Sequence, residues 1–256
     1  KNLKEWTRLS EFGEGLGAHG GVWECPDLFP LTYEGKTKWV LFVSINPGGL
    51  NGGSATQYFI GDFDGKTFTP DAMNYPLWLD YGRDNYAGVT WSNVPAADGR
   101  RLFIGWMSNW DYANEVPTVN FRSAMTVART LRLAHNGEHL VVASEPVKEV
   151  ESLRREAVLL GDKTRTNTSD AIAFENFLPN NQGAYELTFT VTPNDTDSFS
   201  FSIENTKGEV LTYLFDIAKK TLLVDRSKSS AAFNANFAET LIKAPLTAKK
   251  SYTVRL

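Results

Sequence analysis

One cysteine, Cys25, stands alone among 256 residues, so no internal disulfide framework can support the fold. Histidine is almost as scarce. His19, His135 and His139 share no zinc-ligand spacing with one another or with Cys25, and no His/Cys metal site is expected. No apolar stretch approaches the roughly 20 residues that span a bilayer. No run of five basic residues occurs, and 26 basic against 30 acidic residues leave a net charge of −4, so nucleic acid and anionic membranes are not expected partners. No secretory leader is recognisable, and the chain opens at Lys1 as if in mid-phrase, so the compartment is not read from a targeting segment. What is plentiful is aromatic: seven Trp, nine Tyr and sixteen Phe. That composition suits packed β-structure and sites that stack on flat apolar faces such as sugar rings. Hydrophobic and charged fractions of 42% and 22% are those of a globular protein long enough for one large or two smaller domains.

Turn signals punctuate the first 143 residues. Lys38 to Ile45 (KWVLFVSI) follows the turn Tyr33-Glu34-Gly35-Lys36. Gln57 to Asp62 (QYFIGD) meets Lys66 to Thr69 (KTFT) across Asp64-Gly65, a hairpin dipeptide whose residues tolerate positive φ. Arg101 to Met107 follows Asp98-Gly99, and His139 to Ala143 follows Asn136-Gly137. Hairpins at intervals of 30–40 residues fit propeller blades, with a jelly roll as the alternative on spacing alone.

The pattern breaks at Glu145 to Glu156, where Val147, Val150 and Leu153 form a narrow helical stripe and Pro146 suits a first turn. Strict alternation then returns in Tyr185 to Val191, in Phe199, Phe201 and Ile203, in Leu211, Tyr213, Phe215 and Ile217, and in Leu222 with Val224. One buried and one wet face per strand is the mark of an antiparallel sandwich. The expected organisation is all-β: a partial propeller over 1–143, a connecting helix over 144–156 and a sandwich over 157–256. Tyr252, Val254 and Leu256 still alternate at the last residue, so the sandwich is expected to lack its final strands.

The densest cluster for chemistry is Gly20 to Leu31 (GGVWECPDLFPL). Glu24 lies between Trp23 and Cys25-Pro26, with Val22, Leu28 and Phe29 nearby. Apolar company disfavours the charged form of a carboxyl group, as a general acid working near neutral pH requires. The plainer alternative is a glutamate at a strand end that faces water. Glycoside hydrolysis needs a second carboxylate, for which Asp27, Asp62, Asp84 and Asp111 qualify by residue type alone. Asp84 lies in Tyr81 to Tyr86 (YGRDNY), where Arg83 and two tyrosines offer hydrogen bonds to hydroxyls. Asp111 lies in Gly105 to Tyr112 (GWMSNWDY), where two tryptophans flank Asn109. Asn46 to Gly53 (NPGGLNGG) lacks the Gly-Lys-Ser/Thr ending of a phosphate loop and reads as a flexible loop.

Trp23 to Phe29 (WECPDLF), Gln57 to Phe68 (QYFIGDFDGKTF), Asp80 to Ala87 (DYGRDNYA), Leu102 to Thr118 (LFIGWMSNWDYANEVPT), Phe121 to Leu133 and Leu223 to Ser227 (LVDRS) occur in that order. Together they resemble glycoside hydrolase family 32, the β-fructosidases, and the bacterial-type levanases in particular. The resemblance implies a five-bladed propeller followed by a β-sandwich, with no cofactor and no metal. It also implies cleavage of β-fructosyl bonds in levan, inulin or sucrose with retention of configuration. It assigns the acid/base role to Glu24, a place in the same pocket to Cys25, a wall of the fructose site to Trp110, and contacts with sugar hydroxyls to Arg83 and Asp84. Polymeric substrates make the periplasm or the cell exterior the expected location.

The departures are as specific. The family's nucleophile lies in an Asn-Asp-Pro motif, and a stabilising aspartate in an Arg-Asp-Pro motif. Here Arg83-Asp84 is followed by Asn85 and Asn194-Asp195 by Thr196, so neither motif is present. The chain is therefore expected to lack the front of the catalytic domain and to be inactive alone, with a missing segment or a complementary chain completing the propeller. A non-catalytic carbohydrate-binding protein on a degenerate scaffold is the competing expectation.

Overall fold

In the computed structural model, residues 2–164, 173–174, 184–229, 233–238 and 241–256 are described. The protein is all-β and divides into two compact units, Lys1–Val147 with Asp197–Thr247, and Lys148–Thr196 with Ala248–Leu256. The first unit contains the site. It opens on an irregular segment and then builds β1 (Val22–Tyr33), β2 (Lys36–Asn46), β3 (Ala55–Phe63), β4 (Phe68–Pro70) and β5 (Leu77–Trp78). These pair antiparallel in the order β1-β2-β3-β4, with β5 added to β3. A second sheet follows from β6 (Tyr86–Thr90), β7 (Arg101–Met107), β8 (Ala124–Met125), β9 (Arg129–His135) and β10 (Leu140–Pro146). Its order is β10-β9-β7-β6, with β8 paired to β7. The edge strands β1 and β6 therefore each leave one side free of ladder partners.

The two sheets share a core because alternation sends one apolar set from each toward the other. Phe29, Val40, Phe42, Tyr58 and Ile60 meet Phe103, Leu131 and Leu133. Phe42 stands edge-on to both Phe29 and Phe103, at centroid separations of 4.9 and 5.8 Å. The opposite face of the first sheet carries Val43, Phe59 and Phe68, against which Phe12 and Leu16 of the opening segment pack. Gln57, buried on that face, accepts from Ala18 N (2.8 Å) and donates to Ala18 O (3.1 Å), so an amide side chain pairs with the segment as another strand would.

In the same unit β12 (Ser198–Glu204), β13 (Val210–Asp216), β14 (Thr221–Lys228) and β15 (Ile242–Pro245) form a four-stranded antiparallel sheet, with the short helix α1 (Ala235–Ala238) between the last two. Phe199 stacks on Phe215 and Phe201 on Tyr213, as the alternation of serines and aromatics predicts. In the second unit β11 (Thr188–Val191) pairs with β16 (Tyr252–Arg255).

Several expectations change in detail. Asp64-Gly65 is not a two-residue turn with two positive φ angles. The loop runs from Phe63 to Phe68, and only Gly65 is left-handed, because the Asp64 carboxylate caps Lys66 N and Thr67 N at 2.8 and 2.7 Å. Pro146 closes β10 instead of opening a helix, since Val147 N continues the ladder to Ala128 O at 2.9 Å. The helical stripe that follows is a single 3-10 segment, Lys148–Leu153.

Candidate active site

Glu24 and Tyr86 face each other from the two edge strands, each at a register fault. The β1–β2 ladder slips between Glu24 and Asp27, and the β6–β7 ladder slips between Tyr86 and Val89. The residue after each is left-handed without being glycine, at φ 50° for both Cys25 and Ala87. A bulge kinks a strand and re-aims the adjoining side chain, and strain of this kind is held only where surrounding structure enforces it. Pro26 fits inside the first bulge because it has no N–H to offer the ladder. Just beyond, the Asp27 carboxylate accepts from Thr90 N (2.7 Å) and Thr90 Oγ1 (2.8 Å), clamping β1 to β6. Between the bulges the Tyr86 hydroxyl donates to Glu24 Oε2.

The apolar sequence neighbours of Glu24 do not bury it. Glu24 is exposed, whereas Trp23 and Leu28 pack on the far face of the sheet and Phe29 enters the inter-sheet core. Residues adjacent in a strand point to opposite faces, so hydrophobic letters beside a glutamate describe the other side of the sheet. The expectation of a desolvated Glu24 is thus corrected, and the buried member of the pair is Tyr86, 3% exposed. Burial first, then the hydrogen bond to Glu24 and its negative charge, hold the Tyr86 hydroxyl far above the ordinary phenol range. At neutral pH the hydroxyl is therefore protonated and donates.

Tyr86 begins a line of aromatic rings. Trp106 lies 6.3 Å from it by centroid, and Trp110 lies 5.0 Å from Trp106. Trp110 is 49% exposed. Cys25 is exposed beside Glu24. A cavity of about 260 Å³ borders Glu24, walled by Phe12, Trp23, Pro26, Leu41 and Val43. This hollow lies on the Trp23 face of the sheet, apart from the line of rings from Tyr86 to Trp110. The accessible acid and the exposed Trp110 ring suit a ligand with one polar edge and one flat face.

The loop between β2 and β3 holds this wall in place. Asn109, fully buried, donates to Arg83 O (2.9 Å) and Ser54 O (3.2 Å), and its Oδ1 accepts from Asp111 N (3.0 Å). Asn51 exchanges hydrogen bonds with Lys243 N and O of β15 at 2.9 and 3.0 Å. The glycine-rich segment expected to be flexible is therefore pinned over its C-terminal half, at Asn51 and beside Gly53. Gly53 sits at φ 63°, and a Cβ there would lie 1.9 Å from Asn109 Oδ1. Gly53→Ala is expected to lower stability by about 1–3 kcal/mol through clash and strain together. Gly65→Ala, strained at φ 90° but with open space around it, is expected to cost about 1 kcal/mol. Chemical-denaturation midpoints compare the two, and equal losses would refute the role given to Asn109.

Arg83 and Asp84 point their polar atoms into the protein. Arg83, buried, binds Asp111 and Asn236 O and lies over the Tyr112 ring. Asp84 accepts from Tyr112 Oη (2.6 Å) and Arg226 Nη1 (3.0 Å). Asp62 pairs with Lys38 at 3.1 Å. Each of the four aspartates weighed from residue type thus has a protein donor. The structure brings Glu24, Cys25 and Trp110 toward one edge, with Arg83 and Asp84 in the framework behind the wall. Sequence reasoning passed over Tyr86 and Trp106 as individual residues. The second tyrosine of YGRDNY was the available signal for the first, and the tryptophan pair around Asn109 for the second.

An all-β protein with an accessible carboxyl group at the end of a line of neighbouring aromatic rings fits the class of glycosidases. Residues 1–144 match the glycosyl hydrolases family 32 N-terminal domain and residues 149–256 the family 32 C-terminal domain. The chain belongs to glycoside hydrolase family 32. It is 44% identical over 254 residues to a levanase of Bacillus subtilis, covering 96% of this chain and 37% of that protein. It is 36% identical over 272 residues to an extracellular exo-inulinase of Aspergillus niger, covering 100% of this chain and 49% of the relative. The crystal structure of exo-inulinase from Aspergillus awamori superposes with a TM-score of 0.76 at 29% identity, covering 99% of this chain and 51% of that one. The β-fructofuranosidase of Schwanniomyces occidentalis, complexed with fructosyl-erythritol, gives 0.73 at 28% identity, with coverages of 99% and 52%. The chain therefore spans about half, or less, of the length of these relatives. Among the described residues no helix is long and apolar enough to cross a membrane.

Proposed function

We propose that this chain contributes the acid/base side of a retaining β-fructosidase acting on levan, inulin or sucrose outside the cell. In this reading residues 1–143 belong to a five-bladed propeller, residues 144–156 join it to a sandwich over 157–256, and the nucleophilic aspartate is supplied from outside these 256 residues. Glu24 hands a proton to the glycosidic oxygen as the fructosyl carbon is attacked. Its carboxylate then removes a proton from the water that opens the fructosyl–enzyme ester. Trp110 stacks against a sugar ring, Cys25 lines the same pocket, and Arg83 with Asp84 steadies the wall behind it. The supporting observation is the accessible carboxyl of Glu24, oriented at a bulge by the Tyr86 hydroxyl.

Retaining chemistry needs its two carboxyl groups about 5–5.5 Å apart. The chain alone, without the Asn-Asp-Pro motif, is expected to release no more sugar from levan, inulin or sucrose than its Glu24→Gln variant does. Joined to a family 32 segment that carries that motif, it is expected to hydrolyse them, and Glu24→Gln is expected to abolish the gain. A completed protein indifferent to that substitution would refute the assignment. Saturable fructan binding without turnover in the completed protein would favour the carbohydrate-binding alternative.

A further inference from the structure

We infer that Tyr86 is the positioning residue for the Glu24 carboxyl group, fixing Oε2 so that Oε1 is the oxygen that gives and takes the proton. The inference deepens the reading of Glu24 as acid/base and rests on it. Glu24 is exposed, and an exposed glutamate samples many rotamers, whereas proton transfer requires one orientation. The restraint is not burial of Glu24. It is a hydrogen bond from a neighbour that is itself buried, whose hydroxyl burial keeps protonated.

The backbone is shaped for this contact. Glu24 ends a regular stretch of ladder at a bulge, Tyr86 opens β6 at one, and both are followed by a left-handed non-glycine residue, Cys25 and Ala87. Asp27 locks β1 to β6 within a few residues of the contact. Trp106, opposite Tyr86 in the β6–β7 register, sets its ring edge-on to the Tyr86 ring.

The chemistry follows from atom identity. With Oε2 accepting the Tyr86 O–H, the acid carries its proton on Oε1 and delivers it to the leaving oxygen. The O–H of Tyr86 then faces a full carboxylate, and a hydrogen bond to a charged acceptor is stronger than one to a neutral acid. Tyr86 therefore favours departure of the proton without losing its own.

Two measurements test this. In the chain as it stands, labelled at tyrosine Cζ, Tyr86 is the resonance missing from Tyr86→Phe. At neutral pH, where the fold is intact, its Cζ resonance is expected to move in Glu24→Gln while the other tyrosines stay in place, because its hydroxyl then donates to a neutral amide instead of a charged carboxylate. In the catalytically completed protein, Tyr86→Phe is expected to slow sucrose hydrolysis roughly ten- to a hundredfold in kcat, with KM little changed. An aryl β-fructoside whose leaving group needs no proton is expected to keep nearly the parental kcat/KM, the constant that ends at fructosyl transfer and precedes the step in which Glu24 acts as base. A Tyr86 resonance unmoved by Glu24→Gln overturns the pairing, whatever the protein catalyses. Equal loss of kcat/KM for both substrates makes Tyr86 merely structural and overturns the positioning role. If the resonance shifts while the completed protein ignores Glu24→Gln, the acid/base reading itself is what fails, and the role assigned to Tyr86 falls with it.

Discussion

Arg226→Met is expected to cost about 3–5 kcal/mol of stability, because it strips the partner from a charge held inside the protein. Arg226 lies on β14 and is 8% exposed. Its Nη1 donates to Asp84 Oδ2 at 3.0 Å and its Nη2 to Tyr112 Oη at 2.9 Å, while Tyr112 donates to Asp84 Oδ1 at 2.6 Å. The three side chains close a triangle between segments 142 and 114 residues apart in sequence. A third donor, Nε, reaches Phe237 O, and the guanidinium lies 3.8 Å above the Phe237 ring. Lysine cannot replace this planar fork, so Arg226→Lys is expected to recover little. Adding Asp84→Asn to Arg226→Met removes the stranded charge and is expected to restore most of the loss. Urea-denaturation midpoints of the two single variants and the double variant check the cycle. Strictly additive losses would mean that the ion pair contributes nothing as a pair.

The second large effect is alkaline unfolding. Tyr58, Tyr86 and Tyr112 all hold their hydroxyl protons well above the ordinary tyrosine value, with burial as the first cause in each. For Tyr86 the Glu24 carboxylate adds to burial, and for Tyr112 the Asp84 carboxylate does so, against an opposing pull from Arg226. The Tyr58 oxygen accepts from Val142 N at 3.1 Å, which offsets part of its burial. A phenol that keeps its proton when folded and loses it when unfolded favours the unfolded chain as pH rises. Stability is therefore unaffected below the unfolded value near 10 and falls above it, until the folded groups themselves ionise. Each such tyrosine contributes about 1.4 kcal/mol per pH unit, so the three together remove roughly 4 kcal/mol per unit. A domain of ordinary stability, about 5–15 kcal/mol, would unfold within a few units. Denaturant midpoints followed from neutral pH upward should stay level and then drop steeply, with a jump in phenolate absorbance at the transition. Tyr58→Phe should reduce the slope by about a third, although it also loses a hydrogen bond at every pH. A midpoint flat through strongly alkaline conditions would contradict the burial of these hydroxyls.

Alternation and glycine turns made the strands legible because both are local. The pairs β1–β2, β3–β4 and β9–β10 follow directly from the apolar runs and the turns between them. The ordered series of family motifs located Glu24 and Trp110. Non-local relations escaped. YGRDNY reads as a cluster of sugar-binding groups, but neighbours in a bent segment diverge. Arg83 turns to Asp111, Asp84 to Arg226, and Tyr86 alone turns to Glu24. The bulges beside Glu24 and Tyr86 leave no letter in the sequence, since Cys25 and Ala87 occupy backbone angles for which glycine is the usual choice.

The sequence by itself determined an all-β chain, the family and the carboxyl group to be tested, because residue type, period and motif order are properties of the string. Tertiary structure alone decided which face Glu24 occupies and what holds it. A strand fixes only that successive side chains point opposite ways. Which of the two directions meets solvent, and which buried hydroxyl waits there, depends on how β1 and β6 come together across some 60 residues of intervening chain.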